Sequence, residues 1–314
     1  MIVLRNRRGG PWKQPPERHA FRIAGHDVVS DVPFAELAAF AAAAPSDVPL
    51  PPALGGDCGP ADRGDEVFRG AAFLCGSTRE VVCTSTLRGH ELSVAGVGEF
   101  VVTPGGTQVL CTAGAAGLPD AALAEAVLGP ALTLALAMQG TFCLHGSGVL
   151  SGAGALLFLG PSGTGKSTLA AHLAAAGGAF TPLTDDVTPV VLSPSGVEVR
   201  PRFPQLKLPA DRQPAHDAAE RVRLRAAYLL ELPESGAADE VSVEGLDQSR
   251  GLAALVRHTV AVRLFGRDLL ATYLEAIAGA PSLPVRRLRY PRRYEALPGV
   301  FACVAADLER LRGE

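Results

Sequence analysis

Between positions 160 and 168 the chain reads Gly160-Pro161-Ser162-Gly163-Thr164-Gly165-Lys166-Ser167-Thr168, which puts Gly160, Gly165, Lys166 and Ser167 at the fixed positions of a G-x-x-x-x-G-K-[ST] phosphate loop. Glycines let successive backbone N–H groups curl inward onto phosphate oxygens, Lys166 supplies a mobile positive charge, and Ser167 supplies a hydroxyl for Mg²⁺. A nucleotide polyphosphate is the expected occupant. Such a loop names a ligand and not a reaction. Asp185 and Asp186, 19 and 20 residues beyond Lys166, sharpen it. In a strand, loop, helix, strand unit this spacing returns a carboxylate beside the phosphates, able to hold the metal directly or through water. Two adjacent acids near one metal divide the work: one serves the metal, the other accepts a proton from an attacking hydroxyl. His145, 15 residues before Gly160, is the third candidate, on a strand expected to run beside the loop strand.

These groups need a strand before the loop and a helix after it. Ala155 to Leu159 (ALLFL) is strand-like, Ser167 to Ala176 is rich in Ala and Leu, and Gly177-Gly178 closes that helix. Phe142 to Leu150 (FCLHGSGVL) reads as a strand that turns through Ser151 to Gly154 into the loop strand. A short turn there makes an antiparallel pair, so the expected sheet is mixed rather than doubly wound and parallel. Beyond the acids, Val190 to Leu192 and Val197 to Val199 form a hairpin around Ser193 to Gly196, and an extended segment carries Arg200, Arg202 and Lys207. With Arg257 on a later helix, these are the basic candidates for meeting an acceptor; Lys207, set between two leucines, is the most deliberately placed. A strand at Ala226 to Leu232, helices at Ser249 to Val256 and Arg267 to Ala278, a strand at Val285 to Leu288 and a helix at Ala302 to Leu311 follow. Asp211 to Arg221 is polar, helical or looped, and Pro233 to Glu240 is a turn region.

The first part of the chain reads differently. Residues 1 to about 18 are basic and proline-bearing, a loose lead-in, followed by a short strand at Phe21 to Ile23 and a helix from Pro33 to Ala44. Pro45 to Asp65 is dense in Pro, Gly and Asp and reads as a long exposed loop. From Val67 to Ala113, runs rich in Val, Phe, Leu and Thr alternate with turn residues, the pattern of an antiparallel meander. Pro119 to Met138 is a helix with a kink or break at Pro130. The division is a small β-rich domain over 1–118, a candidate for binding an acceptor or a leader segment, and a phosphate-loop domain over 119–314.

Composition bounds the rest. The 314 residues are 47% hydrophobic and 19% charged with a net charge of −3, an ordinary globular balance that gives no reason to expect nucleic acid. The arginines from Arg286 to Arg293 read as a solvated surface run. Neither a secretory signal nor a membrane span is expected, since Pro130 and Gln139 bound the apolar run at Ala131 to Met138. Six cysteines without C-x-x-C spacing suit a reducing, cytoplasmic setting, with Cys143 and Cys303 as small buried groups.

His145-Gly146, the GPSGTGKS loop at its spacing and Asp185-Asp186 resemble the catalytic core of bacterial HPr kinase/phosphorylase, a family related to ATP-dependent phosphoenolpyruvate carboxykinase. Outside that core, the FRIAGHDVVSD, PRFPQLKL and LPVRRLRYPRRYEALP segments resemble HPr-kinase-related proteins found beside peptide-modification genes, including lasso-peptide clusters. The resemblance implies an α/β fold with α+β character, its phosphate-loop core of the HPr kinase/phosphoenolpyruvate carboxykinase type. It implies transfer of a phosphoryl group to a serine hydroxyl, with ATP (or ADP) as the nucleotide and Mg²⁺. It also implies Asp186 or Asp185 as base, with Asp186 preferred, the other Asp and Ser167 on the metal, and His145 near the phosphate. Related kinases are oligomers, which makes a homo-oligomer the family expectation. The C-terminal signature for handling HPr has no match here, so the expected acceptor is a ribosomal precursor peptide or a small molecule. The rival readings are a nucleotide-binding regulatory protein and an ATPase coupled to assembly.

Overall fold

The computed structural model describes residues 1–6, 18–43, 64–74, 76–114, 120–176, 178–208, 219–232, 240–280 and 285–313. The expected loop from Pro45, the helix closure at Gly177, most of the polar segment from Asp211 and the turn from Pro233 lie outside them. The fold is mixed α/β, with two mixed sheets in two compact units: Met1–Thr141 with Ala261–Thr272, and Phe142–Val260 with Tyr273–Glu314.

The first unit carries β1 (Ile2–Asn6), β2 (His19–Ile23), β3 (His26–Ser30), β4 (Asp65–Leu74), β5 (Ser77–Thr86), β6 (Gly89–Val94), β7 (Gly98–Val102) and β8 (Gln108–Gly114), in the order β2-β3-β1-β8-β7-β6-β5-β4. The meander from β4 to β8 is antiparallel throughout, as its turn chemistry predicts. The lead-in is a correction: Ile2, Val3 and Leu4 are buried, and β1 lies between β3 and β8, parallel to both. Three consecutive apolar residues, covered on both faces, show no period-2 alternation to read. The expected helix from Pro33 is a short 3₁₀ turn at Ala35–Phe40.

Helices α1 (Asp120–Ala126) and α2 (Leu132–Met138) are joined by a π turn at Val127–Ala131, where Pro130 removes a backbone donor and Thr133 Oγ1 donates to the Gly129 carbonyl at 2.8 Å. By length and composition Ala121–Met138 could cross a membrane, and 72% of it is buried inside the protein. The compact units divide after this helix, whereas the sequence division falls before it. Close packing explains the difference. A Cβ on Gly106 would stand 2.2 Å from the Ala135 carbonyl oxygen, and Gln139 Nε2 donates to the Gly106 carbonyl at 2.7 Å.

The second unit is built on β9 (Thr141–Ser151), β10 (Gly154–Leu159), β11 (Phe180–Thr184), β12 (Val187–Ser193), β13 (Gly196–Val199), β14 (Val222–Glu231), β15 (Ser242–Gly245) and β16 (Val285–Arg289). As expected, β9 and β10 form an antiparallel hairpin, while β10 runs parallel to β14, giving a mixed sheet. The path β10-β9-β12-β13-β14 closes on itself through that last pairing. Helix α3 (Lys166–Ala175) follows the loop, α4 (Gln248–Arg257) and α5 (Arg267–Gly279) come later, and α6 (Leu297–Gly313) ends the chain. Leu169 and Leu173 of α3 and Val300, Val304 and Leu308 of α6 join Phe158, Tyr228 and Leu288 in one apolar core. Burying such side chains stabilises the fold by about 1.5–3 kcal/mol each, which fixes α3 on the sheet and the loop at the end of β10.

The arginines of β16 are also a correction. Arg286, Arg287 and Arg289 are only 18–20% exposed and pair with Asp307, Glu231 and Glu244. Cys303 is half-buried rather than buried.

Candidate functional site

The apolar strand β10 ends at Leu159, and the chain turns through Gly160–Gly165 into α3. Gly165 is the residue before the first helical turn at φ 92°, where an L side chain is strained and where a Cβ would stand 3.0 Å from the Tyr290 hydroxyl. Lys166 folds back beneath the turn, its Nζ donating to the carbonyls of Gly160 (2.8 Å) and Pro161 (3.0 Å). Burial pushes its pKa below the ordinary lysine value, and the charges of Asp186 and Asp185 pull the other way.

β11 and β12 both lie beside β9, and the turn between them brings the acids back. Asp185 Oδ1 accepts from Ser167 Oγ at 2.7 Å and from Ser147 Oγ at 2.6 Å, and the two hydroxyls stand 3.3 Å apart. Asp186 turns the other way. It sits in the left-handed region at φ 68°, and its Oδ1 accepts from Lys207 Nζ at 2.7 Å and faces His145 Nδ1 at 3.4 Å. Adjacent residues thus present their carboxylates to different neighbours, a backbone cost of order 1 kcal/mol that Asp tolerates better than most residues.

Gln205 holds this turn. Its Oε1 accepts from the backbone N–H of Asp185 and Val187, and its Nε2 donates to the carbonyls of Val187 and Phe203.

Of the sequence candidates, the structure therefore gathers Lys166, Ser167, Asp185, Asp186, His145 and Lys207. It does not bring in Arg200, which pairs with Glu198, and among the described residues no ion pair joins Arg202 to the acids. Arg257 is exposed at the end of α4, and its charge reaches the neighbouring His258.

Three residues went unread. Ser147 lies on the same face of β9 as His145, a period-2 signal present in FCLHGSGVL. Gln205 sits inside the PRFPQLKL segment and shows no pattern of its own. His258 arrives by a non-local bridge: the His145 N–H donates to the His258 carbonyl at 2.7 Å, and the Val260 N–H to the Cys143 carbonyl at 2.7 Å.

Burial first, then the charges of Lys166, His145 and Arg257, pushes His258 from its ordinary 6.5 to about 4. Burial also lowers His145, with Lys166 adding to it. In the folded chain His258 binds fewer protons than in the unfolded one between those values. Its contribution to stability is complete above pH 6.5 and is lost as pH falls toward about 4. The loss is on the order of 3 kcal/mol across that window. Denaturant melts at pH 7 and pH 4.5 are expected to show a smaller acid-dependent loss in His258→Gln than in the natural chain.

The donor set fits a small hard cation. Ser167 and Asp185 could supply two oxygen ligands and leave other positions to phosphate oxygens and water, the usual manner of Mg²⁺. Among the described residues no group of three or more His, Cys, Asp or Glu side chains could hold a metal by itself.

No family model matches the chain, and no curated protein matches it. Among solved structures it is similar to the Hpr(Ser) kinase/phosphatase from Coxiella burnetii, with 13% identity and a TM-score of 0.32, over 54% of this chain and 98% of that one.

Proposed function

We propose that this chain is an ATP- and Mg²⁺-dependent kinase that transfers a phosphoryl group to a hydroxyl, on a serine of a peptide or on a small molecule. The observation that carries the reading is the division of the twin acids: Asp185 on Ser167 and Ser147, Asp186 on Lys207 and beside His145. A protein that only binds nucleotide has no use for the second carboxylate. The motif resemblance from His145 to Asp186 supports serine phosphorylation as the reaction class, and the resemblance of the FRIAGHDVVSD, PRFPQLKL and LPVRRLRYPRRYEALP segments supports a ribosomal precursor peptide of the lasso type as the preferred acceptor.

In this reading Gly160–Thr168 form the phosphate loop, and their backbone N–H groups, Pro161 apart, line the polyphosphate as preorganised dipoles that need no rearrangement during transfer. Lys166, held by two loop carbonyls, is placed to exchange one of them for a phosphate oxygen. Ser167 and Asp185 hold the cation, and Ser147 fixes the free rotation of the Asp185 carboxylate. When bound, Mg²⁺ neutralises the charge on the transferred group, which ATP supplies. Asp186 accepts the proton of the attacking hydroxyl. Lys207 pairs with that carboxylate and is 70% exposed, so it is free to turn toward an incoming acceptor. His145, whose pKa is lowered, remains a neutral imidazole at pH 7 and leaves the positive charge at the base to Lys207.

The test is mass spectrometry of candidate precursor peptides and hydroxylated small molecules after incubation with the chain, ATP and Mg²⁺. Gain of one phosphoryl group on a single hydroxyl is the expected result. ATP consumption with no phosphorylated product would instead give an ATPase. Ser147→Ala is expected to raise the Mg²⁺ concentration for half-maximal turnover by about tenfold with little change at saturating metal, because it loosens a metal ligand without removing it. A titration of rate against Mg²⁺ measures it.

A further inference from the structure

Beside the loop lies a cavity of about 210 Å³ whose walls come from the loop itself and from the segment after β16. Gly163, Thr164 and Gly165 form one wall. Tyr290, buried and with its hydroxyl 3.4 Å from the Thr164 carbonyl, ties the opposite wall to the loop. Arg292 Nη1 donates to the Gly163 carbonyl at 3.4 Å. At the rim stands Tyr294, 76% exposed, one of the few large apolar rings that the described residues leave in solvent.

The arginine-rich close of the chain thus divides in two. Arg286, Arg287 and Arg289 are neutralised by carboxylates, whereas Arg292 and Tyr294 are spent on the cavity. Its volume lies below the range of about 300–1,000 Å³ that encloses whole drug-sized ligands, and suits one planar ring system. An exposed aromatic face and a guanidinium beside a phosphate-binding turn are the groups on which a nucleobase stacks.

We propose that this cavity receives the base of a nucleoside triphosphate, with Tyr294 as its stacking platform, so that the chain selects a nucleotide over a bare polyphosphate as donor. The proposal rests on the phosphate-loop reading above and adds to it the residues that recognise the donor's base.

Equilibrium binding of ATP and of inorganic tripolyphosphate, each with Mg²⁺, tests it on the full chain and on Tyr294→Ala and Tyr294→Phe. The natural chain is expected to bind ATP at least about tenfold more tightly than tripolyphosphate. Tyr294→Ala should shrink that preference by about fivefold or more with tripolyphosphate affinity unchanged, and Tyr294→Phe should keep it. Equal affinity of the natural chain for the two ligands, or equal weakening of both in Tyr294→Ala, overturns the base site while leaving a polyphosphate-dependent kinase possible. Failure to bind either ligand overturns the base site and the phosphate loop together. An intact ATP preference without phosphoryl transfer removes the kinase reading and upholds the base site.

Discussion

Asp186→Asn is expected to lower kcat for phosphoryl transfer by about 10²- to 10⁴-fold, the usual contribution of a general base, while nucleotide affinity changes little. Asparagine isolates the charge. It matches aspartate in shape and, like aspartate, tolerates the left-handed backbone that residue 186 adopts at φ 68°. The side-chain carbonyl can still accept from Lys207, so the loop geometry persists and what disappears is the capacity to take a proton. Single-turnover rates with saturating ATP, beside a direct binding measurement, separate the two effects. Turnover near the natural rate would remove Asp186 from the chemistry.

Lys166→Ala is the second large effect, and it acts on a different step. Lys166 is 7% exposed, with its ammonium on the Gly160 and Pro161 carbonyls, so its loss would take a positive charge from the proposed phosphate site. Transfer is expected to fall by about 10²- to 10³-fold, the scale seen when one preorganised donor is taken from a transition state. Unlike Asp186→Asn, this variant should also weaken ATP binding, because its target is the phosphate in the ground state as well. The Gly160 and Pro161 carbonyls that Lys166 now satisfies would turn to solvent, and a thermal melt of the variant checks that the loop has not collapsed.

Local pattern made the scaffold of the site readable. The apolar run before the glycine turn, the Ala- and Leu-rich helix after it and the four-residue reversal between β9 and β10 all encode their own geometry, and the mixed sheet followed from the short turn alone. The meander of the first unit was legible for the same reason. What escaped was non-local. β1 is five residues long and finds its partners β3 and β8 in parallel, a pairing no hairpin signal announces. His258 meets His145 only because two backbone hydrogen bonds bridge the end of α4 to β9. Gln205 looks like one polar residue in an extended segment until its side chain is seen to satisfy both sides of the turn at Asp185 and Val187.

The basic candidates show the same limit. Arg200, Arg202, Lys207 and Arg257 carry the same charge, and in the sequence only the flanking leucines set Lys207 apart. The structure separates them by partner: Arg200 is taken by Glu198, while Lys207 is taken by Asp186. A charge becomes part of a site through the geometry of its neighbour, and here that neighbour is set by an unusual backbone angle at one residue.

The central claim is that one carboxylate of the pair serves the cation and the other faces the acceptor. A crystal structure with Mn²⁺ in place of Mg²⁺ and a non-hydrolysable ATP analogue, with the metal located from its anomalous signal, tests it most directly. The account predicts the ion in contact with Ser167 and on the Asp185 side of the turn, with Asp186 free of it and open to solvent beside Lys207. Metal bound by Asp186, or bound away from both acids, would contradict it.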